Sequence, residues 1–286
     1  MPDNASPARS APVAVVTGAG RGIGLAVAAR LAADGHHVVL SDLDGTTIRH
    51  TARALGNGHT GLAADVTDPL AVARLAEAAV ERYGRLDVWI NNAGLLLSGP
   101  LADFPHDVLL RTVNVNITGV LHGCRAALTP MLPARRGHIV NIASVCAVKH
   151  LPGLAVYSAT KAGVLALSGA LRREVRSAGI HVSALLPYLV DTPAATGLRP
   201  RVLRPLPASR VADAVVRVLA RPRAEVSVPG YLGPALKAVA LLPAPVRDWI
   251  DDRARLEELA LDSDHLSLRI PGARVDGDNS RPAQGR

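Results

Sequence analysis

Short aliphatic runs alternate along most of this 286-residue chain with longer stretches of helical spacing. The runs Val13–Thr17, His37–Ser41, Gly61–Ala64, Leu86–Asn91, His138–Ala143, His181–Leu186 and Glu225–Val228 predict strands. Between them, Ile23–Asp34, Asp68–Tyr83, Asp107–Leu132, Val156–Ala178 and Val211–Ala220 predict helices. Ile23, Val27 and Leu31 recur every four residues, a helical period that Gly35 stops. Asp68-Pro69 is a cap followed by a proline at the first helical position. Strands joined through helices run parallel, so the pattern predicts an α/β fold built on a doubly wound parallel sheet. With one Phe, two Trp and four Tyr, the core must be aliphatic, as a sheet covered by helices on both faces requires.

This alternation spans residues 12–230, which fits one α/β domain of about 230–250 residues. Residues 1–11 are polar and rich in Pro and Ser, and are expected to form a disordered leader. Residues 193–209, rich in Pro, Arg and Leu, are expected to form a lid. Residues 231–270 are expected to form a C-terminal helical extension. It has an apolar stretch, Tyr231–Leu242, then a helix carrying Val246, Trp249, Ile250, Leu256 and Leu259. It could dock on its own domain, cover a partner subunit or touch a membrane surface; its charges mix Asp248, Asp251 and Asp252 with arginines rather than being uniformly basic, which favours docking. Residues 271–286 are expected to be a disordered tail.

The net charge of +8 comes almost entirely from scattered arginines, with no basic stripe of the kind that binds nucleic acid. Cys124 and Cys146 form neither a disulfide framework nor a metal site. No apolar run reaches the roughly 18 residues of a spanning helix, and no signal peptide opens the chain. Together these predict a cytoplasmic protein that uses no metal.

The first strand runs into Thr17-Gly18-Ala19-Gly20-Arg21-Gly22-Ile23-Gly24. Glycines let a backbone approach a pyrophosphate, and the helix beginning there offers free N–H groups and a positive dipole end. The second strand ends at Asp42, where a carboxylate can bind both adenosine ribose hydroxyls and repel a 2′-phosphate. Arg21 pulls the other way, toward a phosphorylated ribose. The balance favours NAD(H) over NADP(H). Asp65-Val66 follows the third strand, where an adenine would lie, although Asp65 also suits the entry to the Asp68 helix.

The glycine loop, Asn91-Asn92-Ala93-Gly94, Asn116, Ser144 and Tyr157-Ser158-Ala159-Thr160-Lys161 occur in one order along the chain. In this the sequence resembles the short-chain dehydrogenase/reductase family, which implies a Rossmann-like fold. Tyr157 and Lys161 lie four apart on a predicted helix and so share a face. An ammonium nearby favours the phenolate of a group whose ordinary pKa is about 10, which suits Tyr157 to general acid/base work. Ser144 can donate to a substrate carbonyl oxygen. It lacks the Gly-x-Ser-x-Gly setting of a hydrolase nucleophile. The resemblance implies that Lys161 also holds the nicotinamide ribose. It implies that Asn116 bends its helix and holds a proton-relaying water; Asn114 competes for that role. It further implies cofactor contacts at Leu43, Val66, Asn92, Ala93, Gly94, Pro187, Val190 and Thr192, beside Gly18, Gly20, Arg21, Gly22, Ile23, Gly24, Asp42 and Asp65.

After the sixth strand, Tyr188 stands where the family usually has glycine. Leu95, Leu96, Leu97, Cys146, Val148, Leu151 and Leu189 are expected to line an apolar substrate pocket. The sequence thus predicts an NAD(P)-dependent oxidoreductase interconverting an apolar secondary alcohol and its ketone, and the resemblance implies a homodimer or homotetramer. The alternative is a non-catalytic dinucleotide-binding sensor or scaffold on the same fold.

Overall fold

The computed structural model describes residues 11–195 and 204–253. Expectations for residues 1–10 of the leader, residues 196–203 of the lid, Leu256, Leu259 and the tail fall outside these residues. Seven parallel strands form one sheet: β1 (Val13–Thr17), β2 (His37–Asp42), β3 (Thr60–Ala63), β4 (Val88–Asn91), β5 (Gly137–Ile142), β6 (Ile180–Pro187) and β7 (Glu225–Val228). Their order is β3-β2-β1-β4-β5-β6-β7. The chain winds outward from β1 to one edge, returns to lay β4 against β1, then winds to the other edge.

Successive residues of a strand face opposite sides, and here both sides are buried. Val13 and Val15 of β1 join one core cluster, while Ala14 and Val16 join the other. The first cluster is covered by α3 (Pro69–Tyr83), α5 (Gly119–Ala134) and α6 (Ala155–Val175); the second by α1 (Gly22–Ala33), α2 (Gly45–Ala54) and α7 (Ala208–Ala220). Pro69 opens α3, and the Asp68 carboxylate caps it, accepting from the Leu70 N–H at 2.8 Å. No described helix is long and apolar enough to cross a membrane.

Two local expectations need correcting. Helix α2 has no counterpart in the sequence reading. Only Ile48 and Ala52 on it are buried, too few for a visible apolar period, although Asp44 caps it by accepting from Thr46 and Thr47 N–H. The single helix expected over Asp107–Leu132 is α4 (His106–Val113) joined to α5 by a π-helical turn at Asn114–Thr118. Beyond β7, α8 (Leu232–Ala240) packs Leu232 and Leu236 on the core, and α9 (Ala244–Arg253) follows it.

A buried polar relay crosses the sheet centre. The Trp89 indole N–H donates to Asn91 Oδ1 at 2.7 Å, Asn91 Nδ2 to Asn141 Oδ1 at 2.8 Å, and Asn141 Nδ2 to Ser168 Oγ at 2.9 Å. Helix α5 passes so close that a Cβ at Gly123 would overlap Asn91 Oδ1 and lie 2.7 Å from Trp89 Nε1. Gly123→Ala should therefore destabilise the fold by about 1–3 kcal/mol, read as a lowered midpoint in urea unfolding.

Candidate active site

At the C-terminal edge of the sheet, β1 and β4 send their following helices to opposite faces and leave a crevice. A cleft of 570 Å³ occupies it. Its walls include Gly18, Arg21, Gly22, Ile23, Asp42, Leu43, Asp65, Val66, Asn92, Ala93 and Gly94 toward one end. They also include Ser144, Tyr157, Lys161, Pro187, Val190 and Thr192. Segments far apart in the chain thus meet in one cavity.

The crevice is held in shape by hydrogen bonds between the two strand ends. Asn92 Nδ2 donates to the Thr17 and Gly18 carbonyls, both at 3.0 Å. The Thr17 hydroxyl accepts from the Asn92 and Ala93 N–H groups at 3.1 and 3.2 Å. Gly18 has a φ of +62°, and a Cβ there would sit 2.8 Å from Ala93 Cα. A Cβ at Gly24 would overlap the Gly18 carbonyl oxygen, so only glycine lets α1 start this close to the strand end. Gly20 and Gly24 do not line the cleft. Gly24 packs, and the Gly20 N–H donates to Asp42 Oδ2 at 2.9 Å. The other carboxylate oxygen of Asp42 accepts from the Leu43 N–H at 2.8 Å, so the acid is fixed in place at the cleft wall. Arg21 is exposed at the rim. Asp65 turns the chain through Thr67, accepting from its N–H at 2.9 Å, while the helix cap itself is Asp68.

On the opposite wall, Tyr157 and Lys161 project from the first turns of α6. Lys161 is 5% exposed, and its ammonium donates to the Ile142 carbonyl at 2.9 Å and lies 5.7 Å from the Tyr157 ring centre. Burial pushes Lys161 down to about 8, with Cys146 opposing. Burial also pushes the Tyr157 phenol above its ordinary value, the Cys146 sulfur adds to that, and the Ser144 hydroxyl opposes it. Although Tyr157 is only partly covered over its whole surface, it is the hydroxyl's surroundings that set this direction. Ser144 Oγ accepts from the Cys146 N–H at 3.1 Å.

Asn116 lies behind the wall, fully buried in the π-helical turn. Its Oδ1 accepts from the Leu95 N–H at 2.7 Å, and its Nδ2 donates to the Leu95 carbonyl at 2.9 Å and to Thr160 Oγ1 at 3.1 Å. Asn114, its competitor, is exposed at the cleft. A Cβ at Gly94 would lie 3.2 Å from Asn116 Oδ1 and 3.5 Å from Lys161 Nζ, so both groups bear on one spot.

Leu95, Leu96, Cys146, Leu151 and Leu189 line the cleft as expected, but Leu97 and Val148 do not. Leu97 is buried at 4% exposure, and Val148 packs on the main core. Tyr188 lines the cleft. So do Asp107, Leu110 and Arg111 of α4, which the sequence reading missed. The four-residue step from Asp107 to Arg111 was the available signal, but nothing in the sequence aims that face at the cleft.

The family model for short chain dehydrogenases matches residues 12–202. An uncharacterized oxidoreductase of Staphylococcus epidermidis is 35% identical over 210 residues, covering 73% of this chain and 91% of that protein. One of Staphylococcus aureus is 35% identical over 212 residues, covering 74% and 92%. Among solved structures, a variant of actinorhodin polyketide ketoreductase with NADPH superposes with a TM-score of 0.72 at 33% identity, covering 78% of this chain and 97% of that one. A 3-ketoacyl-(acyl-carrier-protein) reductase from Brucella melitensis complexed with NADH gives 0.69 at 29% identity, covering 76% and 96%. A short chain dehydrogenase/reductase from Burkholderia phymatum in complex with NAD gives 0.73 at 30%, covering 84% and 95%. The match runs from the first strand past the serine, tyrosine and lysine of the cleft wall, and this chain belongs to the short-chain dehydrogenase family of oxidoreductases.

Proposed function

We propose that the protein interconverts a secondary alcohol and its ketone with a nicotinamide dinucleotide, on an apolar small molecule, using Tyr157 as the proton donor and acceptor. The observation that carries this is one cleft with two chemically distinct walls: a glycine loop at a helix N-terminus, and Ser144, Tyr157 and Lys161 facing it. The named ligands of the similar structures, NADPH, NADH and NAD, support the cofactor class. NAD(H) is favoured because Asp42 holds a carboxylate at the wall that an adenosine ribose would approach. A 2′-phosphate there would meet a like charge at short range.

Gly18, Gly22, Ile23, Asp42, Leu43, Asp65, Val66 and Asn92 would hold the adenosine and pyrophosphate end. Ala93, Gly94, Tyr157, Lys161, Pro187, Val190 and Thr192 would hold the nicotinamide end, and Gly20 and Gly24 would shape the loop. The bound cofactor supplies or accepts the hydride. Ser144 donates to the substrate oxygen and polarises the C–O bond. Tyr157 gives its proton to that oxygen in the reducing direction; the free protein, which holds the phenol protonated, has it ready. In the oxidising direction the positive charge of Lys161 favours the phenolate that removes the hydroxyl proton. Asn116 ties the Leu95 segment to Thr160, the residue before Lys161. Leu95, Leu96, Leu151 and Leu189 make the substrate end apolar. The reading includes self-association as a homodimer or homotetramer, supported by Val113, Leu121 and Leu132 exposed along α4 and α5.

Tyr157→Phe should lower kcat for reduction of apolar ketones by NADH at least about a hundredfold while NADH binding is retained. Equal turnover by the variant and the parent would contradict the assignment. Lys161 binds its proton less readily in the folded than in the unfolded chain, its ordinary value of 10.5 falling to about 8. Between those values unfolding takes up a proton, so stability rises with pH, by at most about 1.4 kcal/mol per pH unit. The difference in melting temperature between the parent and Lys161→Met should therefore change with pH from about 8 upward, in the parent's favour.

A further inference from the structure

Helix α9 lies outside the residues 12–202 that match the family, and it buries none of its own residues. Val246 and Trp249 on it are 42% and 61% exposed and Ile250 is only half-buried, so apolar packing contributes little to seating it. Its anchor is polar. The Lys149 ammonium donates to both carboxylate oxygens of Asp251, with side chains only 15% and 26% exposed. Such a pair contributes little net stability, because desolvation offsets the attraction, but it fixes relative position.

What it fixes is the substrate side of the cleft. Lys149 ends a tight turn that begins at Ser144. The Ala147 N–H donates to the Ser144 carbonyl at 3.0 Å, and the Val148 and Lys149 N–H groups to the Val145 carbonyl at 3.0 and 2.9 Å. Cys146, Leu151 and Leu154 of the same segment line the cleft. At its far end Gly153 is held by the Gly99 N–H, which donates to its carbonyl at 2.8 Å. The 145–154 segment is therefore tied at Ser144, at Gly99 and, through Lys149, to α9.

We propose that Asp251 is a positioning residue for substrate: through Lys149 it holds the 145–154 wall in the shape that binds the apolar ketone or alcohol, and so sets KM rather than the chemical step. The KM part rests on the function proposed above; the structural part does not. The experiment compares full-length parent, Asp251→Asn and Asp251→Glu with saturating NADH. One arm follows amide hydrogen exchange across residues 145–154, and the other the kinetics of 2-decanone reduction. Asp251→Asn should speed exchange about tenfold and raise KM about fivefold with kcat within about twofold, and Asp251→Glu should restore both. Unchanged exchange, or faster exchange with unchanged KM, would overturn the proposal. Should the parent fail to reduce 2-decanone, the probe or the function reading fails, and exchange alone decides whether Asp251 holds the wall. If Asp251→Asn does not fold, Lys149→Gln breaks the pair from its other side and is read the same way.

Discussion

Two helix layers must cover both faces of a parallel sheet, so somewhere adjacent strands must send their helices to opposite sides. In this protein that happens at β1 and β4. The crevice that results would be a loose gap if the strand ends were not joined. Thr17 and Asn92 join them, the threonine hydroxyl reaching across to the β4 end and the asparagine carboxamide reaching back to the β1 end. The glycine loop begins one residue beyond Thr17, and its approach to Ala93 depends on the absence of a Cβ at Gly18. Cleft shape, loop conformation and sheet topology thus share one small hydrogen-bonded junction.

The electrostatics of the opposite wall follow from burial. A lysine and a tyrosine placed among Ile142, Ser144 and Cys146 lose solvation, and each is pushed toward its neutral form. A neutral phenol suits proton donation. The charge of Lys161 is what must be maintained if the same residue is to accept a proton, and its donation to the Ile142 carbonyl fixes where that charge sits. Asn116 serves this wall from behind. A π-helical turn carries it, and both ends of its carboxamide are spent on backbone and Thr160.

Much of this was legible because several signals are local. Val13–Thr17 reads as a strand from its own residues, Asp68-Pro69 as a helix start, and the spacing of Tyr157 and Lys161 as one helix face. Helix α2 was not legible, since Ile48 and Ala52 alone carry its buried side and its cap, Asp44, sits beside the more conspicuous Asp42. An irregularity at Asn116 followed from the resemblance but not from the helical period itself, whose break here coincides with tertiary bonds to Leu95 and Thr160, 21 and 44 residues away in sequence. Pocket lining was legible only in part, because it too depends on tertiary packing. Leu97 and Val148 are as apolar as Leu96 and Leu151, and only packing decides which of them faces the cleft.

The central claim is that the crevice between β1 and β4 binds a nicotinamide dinucleotide whose ribose meets Asp42. Titration of the purified protein with NADH and with NADPH, followed by nicotinamide fluorescence, tests it directly, with Asp42→Ala alongside. The account predicts that NADH binds more tightly than NADPH by roughly tenfold or more, and that the preference is lost or inverted in Asp42→Ala. Tighter NADPH binding by the parent would contradict the role given to Asp42, and binding of neither would contradict the reading of the glycine loop itself.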